Sequence, residues 1–345
     1  MGTKLKELAS SREIESSELS GKVIAIDAFN FLYQFLTIIR QYDGSPLMDS
    51  KGRVTSHLSG LFFRTANFLE QGIKPVYVFD GKSPDLKRSE KEKRSKAKEE
   101  AEKKLMEARE MEREEDYLKF SKRTARLDAE MIKQSKRLLE LMGVPYIEAP
   151  SEGEAQAAFL VKTKKAYAAA SEDYDCLLFG ADRLVRNLSF SGKKKVPEKP
   201  VYMRVRPELI ELEETLARLE ISQDQLIALA MLSGTDFNQK GIPGIGPKKA
   251  LKLVKKHGND FEALFEKASW DSHFDFSWKE VFMVIKEMEC RPIDEIRFSK
   301  IDGKGVVEFL CTEFEFTRER IEKKINELLK KSSEQAQPGL KRWIK

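Results

Sequence analysis

Three cysteines in 345 residues, Cys176, Cys290 and Cys311, lie far apart and without the spacing of metal ligands. Nothing here supports a disulfide framework or a zinc site, and the three are expected to be reduced, buried small hydrophobes. Long apolar runs are also missing. None approaches the roughly 20 residues that span a bilayer, and the opening MGTKLKELAS lacks the apolar stretch of a secretory signal. No membrane association is expected; the chain should be cytoplasmic, or nuclear if its source is eukaryotic. Net charge is small as well: +5, from 62 Lys and Arg against 57 Asp and Glu, so the sum alone points only weakly to a polyanionic partner. Its distribution says more. Basic residues crowd into 82–104, 193–206, 248–256 and 318–331, whereas several acids stand singly at the ends of apolar runs. Basic surfaces around an acidic centre are the expectation.

What is present suffices for one large or two ordinary domains, with 41% hydrophobic residues. Three short apolar runs, KVIAID (22–27), PVYVFD (75–80) and AYAAASEDYD (166–175), alternate with amphipathic stretches. This is the pattern of an α/β domain built on a central, mostly parallel sheet flanked by helices. Ligands bind such sheets beyond the carboxyl ends of the strands, so Asp27, Asp80, Asp173 and Asp175 should converge on one edge. Between residue 85 and about 130 the composition shifts to Lys, Glu, Arg and Ala, which favours helix but offers little to bury. From about residue 222 onward the chain reads as mainly helical, broken by GIPGIGP (241–247), and the last residues, SSEQAQPG onward, read as a loose tail.

Two further acids, Glu152 and Glu154, lie in PSEGEAQAAFL (150–160). Alone, this motif favours a helix capped by Ser151, with Glu154 closing a capping box. Asp236 in MLSGTDFN could likewise be a turn residue. Together the seven acids read differently, because carboxylates gathered at one edge repel and raise one another's pKa values unless cations hold them. An oxygen-only set with no nearby His or Cys suits Mg²⁺ or Mn²⁺, and two ions about 3.5–4 Å apart would serve phosphodiester hydrolysis.

VIAIDAFNFLYQFL, KPVYVFDGKSP, PSEGEAQAA, SEDYDCLLFG, LSGTDFN and GIPGIGPKKALKL, in this order, closely resemble the flap endonucleases of the XPG-type 5′ nuclease family, the archaeal enzymes above all. The resemblance covers essentially the whole chain. It implies a PIN-like 5′ nuclease core in two parts, 1–98 and 131–257, a helical cap or arch at 99–130 and a helix-two-turn-helix DNA clamp at about 223–257. Helices at 258–330 and a tail at 331–345 complete the expected organisation. It also implies cleavage of DNA flaps, with some 5′ to 3′ exonuclease activity, in replication and base-excision repair. Asp27, Asp80, Glu152, Glu154, Asp173, Asp175 and Asp236 match the family's two-metal site.

By the same resemblance, Lys87 and Arg94, two helical turns apart, match basic residues that reach the scissile phosphate. Tyr33, otherwise a core aromatic, would stack on a nucleobase, and Arg40 would assist on the backbone. Arg64 in TSHLSGLFFRT, with FTRERIEKK (316–324), resembles parts that receive the upstream duplex and its 3′ flap; Gly234, Glu152 and Asp236 also join the expected DNA contacts. Gly244 and Gly246, followed by Lys248, Lys249 and Lys252 at a helix start, could face one phosphate, and relatives hold a monovalent ion, K⁺, in that turn. Gln337, Leu340, Trp343 and Ile344 have the spacing of a peptide that plugs into a sliding clamp of the PCNA type. Apart from the clamp, a monomer is expected. The rivals are a processive 5′ exonuclease and a non-catalytic protein that binds branched DNA.

Overall fold

The computed structural model describes residues 5–87, 126–189, 193–195 and 202–335. Arg94, most of the expected cap and the four tail residues Gln337, Leu340, Trp343 and Ile344 lie outside these.

A seven-stranded mixed sheet organises the chain, in the order β1-β9-β6-β5-β2-β3-β4. Its centre is parallel: β2 (Val23–Asp27) lies between β3 (Lys74–Phe79) and β5 (Ala168–Ala170), with β4 (Tyr146–Glu148) and β6 (Arg183–Arg186) outside them. The antiparallel strands β9 (Glu208–Glu211) and β1 (Ser11–Glu13) finish one side. β7 (Lys193–Lys195) and β8 (Tyr202–Arg204) form a separate hairpin. The expected mostly parallel α/β sheet is therefore present, with an antiparallel margin that the apolar runs did not announce.

Strand alternation sorts the side chains into two cores. Ala25, Val76, Val78, Ala169, Leu184 and Ile210 face one side, where α4 (Gly153–Lys162), the short α5 (Asp175–Leu178) and α7 (Gln223–Ser233) pack. Ile24, Ile26, Tyr77, Phe79 and Val185 face the other, against α1 (Ala28–Ile38), α2 (Ser56–Glu70) and α3 (Ala129–Leu141). Helix α6 (Leu212–Leu219) follows β9, and α8 (Pro247–His257) packs with α7 across the glycine-rich turn. The remainder is helical: α9 (Phe261–Lys267), α10 (Trp278–Lys286), α11 (Gly303–Val307), a π-helical turn and α12 (Arg318–Gln335). Among the described residues no helix is long and apolar enough to cross a membrane.

Two local expectations change. Helix α4 begins at Gly153 with Glu152 at its N-cap and no side-chain cap bond, so neither a Ser151 cap nor a capping box forms. The reason is tertiary: the Gly153 amide donates instead to Asp80 Oδ1 at 2.7 Å, and Glu152 turns to Lys87. The run 166–175 is strand only for Ala168–Ala170. At Ser171 the hydroxyl accepts from the Asp173 amide at 3.2 Å, a local turn that competes with the ladder.

Candidate active site

The parallel strands β2, β3, β4 and β5 deliver acid to the same edge. Asp27 is the last residue of β2 and the N-cap of α1, accepting from the Asn30 amide at 3.0 Å. Asp80 follows β3 and accepts from Gly153, close enough that a Cβ on Gly153 would stand 2.6 Å from its oxygen. Asp173 and Asp175 follow β5, and Glu152 and Glu154 open α4 after β4. Asp236 comes from the turn after α7.

The electrostatics join these acids into one set. Burial, then the charges of Asp80 and Asp173, push the Asp27 carboxyl up to about 8 against the pull of the Asn30 and Phe29 amides. Burial and then Asp175, Asp27 and Asp173 raise Glu154 well above the usual carboxylate range, with Lys87 opposing. Lys87 belongs to the short 3₁₀ turn Asp85–Lys87, and its Nζ lies 2.7 Å from Glu152 Oε2 and 3.7 Å from Asp236 Oδ2. It also rests 4.7 Å above the Phe237 ring. Burial pulls the Lys87 ammonium's pKa down, but Glu152, Asp236 and Glu154 together outweigh it and keep the group charged.

Such a set fits hard divalent cations. The donors are all oxygen, and burial together with neighbouring carboxylates raises both Asp27 and Glu154, a repulsion that positive charge would relieve. As the side chains stand, no group of three or more His, Cys, Asp or Glu among the described residues could itself hold an ion. Instead, the Lys87 ammonium supplies positive charge between Glu152 and Asp236. Cys176 is buried in the same region with its thiol pKa raised by burial and the surrounding acids, which keeps it protonated and inert. Cys290 and Cys311 are free but only half-buried, short of the full burial expected of them.

Away from the acids the predicted residues separate. Tyr33 on α1 is 36% exposed, so the core alternative falls. Arg40 donates from Nε to the Thr37 carbonyl at 3.2 Å and from Nη1 to Gly44 at 2.9 Å, tying down the loop after α1. Arg64 is half-buried on α2, its Nε buried without a partner. Gly234 has a packing role: at φ +107 it closes α7, and its missing Cβ would sit 2.8 Å from the Gly241 amide. Gly244 and Gly246, by contrast, have open space where a Cβ would stand. Beside them Lys248, Lys249 and Lys252 are exposed at the start of α8, Lys248 pairing with Glu7 at 3.3 Å and Lys249 donating to the Gly244 carbonyl at 3.3 Å.

Three residues of the site escaped the sequence reading. Ser171 donates to Glu154 at 2.9 Å and sits 3.4 Å from Asp27 Oδ2. The Asn30 side-chain amide reaches Asp173 at 3.5 Å. Glu172 accepts from Asn187 at 3.0 Å and Ser189 at 3.3 Å, and its own carbonyl accepts from Arg186, which anchors the 171–175 turn. The available signal was position: Ser171 and Glu172 run directly into Asp173, and Asn30 lies in the first helical turn after Asp27.

Comparison with known proteins defines the class. Residues 2–101 match the XPG N-terminal domain and residues 143–236 the XPG I-region. The flap endonuclease 1 of Thermococcus onnurineus is 49% identical over 344 residues, covering 100% of this chain and 99% of its own. That of Pyrococcus furiosus is 49% identical over 349 residues and covers 100% of both. The solved flap endonuclease-1 from Methanococcus jannaschii superposes with a TM-score of 0.74 at 38% identity, covering 97% of this chain and 100% of its own. An acid-edged sheet with both XPG regions is a structure-specific nuclease, a hydrolase of phosphodiester bonds. Within that class, the chain belongs to the flap endonuclease family.

Proposed function

We infer that this chain cuts DNA at the base of a 5′ flap, leaving a 5′-phosphate and a 3′-hydroxyl that a ligase can seal in replication and base-excision repair. Asp27, Asp80, Glu152, Glu154, Asp173, Asp175 and Asp236 would hold two Mg²⁺ ions, which Mn²⁺ could replace. The observation that carries this is the convergence of the strand-end acids, with Asp27 and Glu154 reaching one Ser171 hydroxyl at 3.4 and 2.9 Å inside the acidic set. A scaffold that merely binds DNA gains nothing from a concentrated anionic patch, whereas a cation site requires one.

Bound ions would supply the charge that activates the attacking water and steadies the leaving 3′ oxygen. The protein's share is positioning and charge. Lys87 carries a desolvated cation among the ligands, and with Arg94 it would neutralise negative charge developing on the phosphate, where a pre-aimed cation acts most strongly. The exposed Tyr33 ring offers a stacking surface to a base frayed from the duplex, worth about 1–3 kcal/mol. The open Gly244 and Gly246 amides with Lys248, Lys249 and Lys252 would grip duplex phosphates without reading bases, and a K⁺ in that turn would strengthen the grip. Segment 99–130 would cap the passing single strand. The tail, through Gln337, Leu340, Trp343 and Ile344, would tether an otherwise monomeric enzyme to the sliding clamp.

The test compares equal duplexes bearing a 5′ flap or a recessed 5′ end under single turnover with Mg²⁺. Incision at the flap base, much faster than removal of the recessed end, is expected. Equal rates would make the protein a processive 5′ exonuclease instead.

A further inference from the structure

Lys87 serves the Glu152 and Asp236 side of the acidic set. On the Asp27, Glu154 and Asp173 side, neutral groups stand at the junctions. The Ser171 hydroxyl has one proton to give and two lone pairs. It donates to Glu154 Oε1 at 2.9 Å, accepts from the Asp173 amide at 3.2 Å, and lies 3.4 Å from Asp27 Oδ2. One small buried side chain therefore meets the carboxylates of Asp27 from β2 and Glu154 from α4 and the backbone amide of Asp173 in the turn after β5. Asn30 braces the same turn from α1: its amide nitrogen reaches Asp173 Oδ2 at 3.5 Å, and its Oδ1 accepts from the Glu172 amide at 3.4 Å.

We propose that Ser171 is a positioning residue of the cation site, fixing Glu154 and Asp173 relative to Asp27, and that Asn30 supports it by holding the 172–173 backbone. The inference rests on the reading of these acids as cation ligands. Carboxylates that repel one another rotate apart unless hydrogen bonds set their orientation, and a ligand pre-set by such a bond binds its ion with less reorganisation. Ser171 suits the place by size as well as chemistry. It directly follows the three fully buried alanines of β5 and is itself buried, so its hydroxyl meets Glu154 and Asp27 away from solvent.

The experiment measures Mn²⁺ binding to the full chain without DNA, by the loss of the free-ion electron paramagnetic resonance signal, together with thermal melting in EDTA. Wild type should bind. Ser171→Ala should bind about tenfold or more weakly, while melting in EDTA near the wild-type temperature. Ser171→Thr, which restores the hydroxyl, should recover most of the affinity, a rescue that a role confined to packing would not give. Asn30→Ala should weaken binding by a smaller factor, and it carries the test alone if Ser171→Ala does not fold. Wild-type affinity in Ser171→Ala, or in Asn30→Ala where that variant stands alone, would overturn the positioning role and leave the cation site standing. No binding by wild type would instead remove the cation site, and this inference with it.

Discussion

Replacing Lys87 by alanine removes a cation that the structure places between two acids. The Lys87 and Glu152 side chains are 12% and 11% exposed and 2.7 Å apart, so the loss leaves Glu152 buried without its partner, while Asp236 loses a neighbour at 3.7 Å. Breaking a buried ion pair from one side costs about 3–5 kcal/mol. With an unfolding entropy of about 2.1 cal/mol/K per residue over 345 residues, the melting temperature in EDTA should fall by about 4–7 °C. Mg²⁺ should recover most of that loss, because a bound ion supplies the charge that the ammonium supplied; the Mg²⁺-induced rise should therefore exceed that of wild type. Cleavage should not recover. A pre-aimed donor is worth about 10²–10³-fold in rate, so the single-turnover rate with saturating Mg²⁺ should drop by that order while flap-DNA affinity changes far less. The assays are differential scanning fluorimetry with and without Mg²⁺ and quenched-flow cleavage beside fluorescence anisotropy. An unchanged melt in EDTA would refute the ion-pair argument, and equal losses of rate and binding would take Lys87 out of the catalytic set.

Proton linkage gives a second prediction. Asp27 is raised to about 8 by burial and then by Asp80 and Asp173, so at pH 7 it is mostly protonated without metal, and Mg²⁺ binding should release protons that calorimetry in buffers of different ionisation enthalpy can count. The sign for stability follows: with its folded value raised, Asp27 favours the fold below pH 4 and loses that contribution as pH climbs towards about 8. Melting in EDTA should therefore decline over that range, and Mg²⁺ should flatten the decline; zero proton release would contradict it. Alanine at Lys248, Lys249 or Lys252 should weaken binding alike on unrelated sequences and reduce the slope of log K against log salt by about one each, measured by anisotropy at several salt concentrations. Deleting residues 337–345 should abolish stimulation by the sliding clamp and spare basal cleavage, and a loss of basal cleavage would assign the tail to the core.

The strand-end acids were legible because apolar runs ending in Asp mark the carboxyl edge of a parallel sheet, and Asp27 and Asp80 stand there. β1 was not legible: Ser11–Glu13 is polar and exposed along its whole length and is a strand only because β9 pairs with it. The start of α4 was misplaced because Ser151 and Glu154 form a sound local capping pattern, while the actual partner of Gly153 is Asp80, 73 residues away in sequence. Ser171, Asn30 and Glu172 were missed for a related reason: their partners arrive from other strands, and neutral or spare polar residues beside acids carry no periodic signal. Gly234 was grouped with DNA contacts by its motif, yet it is a glycine because the backbone of Gly241 lies against it.

The most direct test of the central claim is single-turnover cleavage of a double-flap duplex labelled on its 5′ strand, comparing wild type with Asp173→Ala, each with Mg²⁺ and with EDTA, while binding is followed separately. Incision at the flap base by wild type with Mg²⁺ alone, lost in Asp173→Ala with DNA binding retained, is the predicted result. Incision by Asp173→Ala at the wild-type rate, or wild-type cleavage in EDTA, would contradict the assignment of the acidic edge as the cation-dependent catalytic centre.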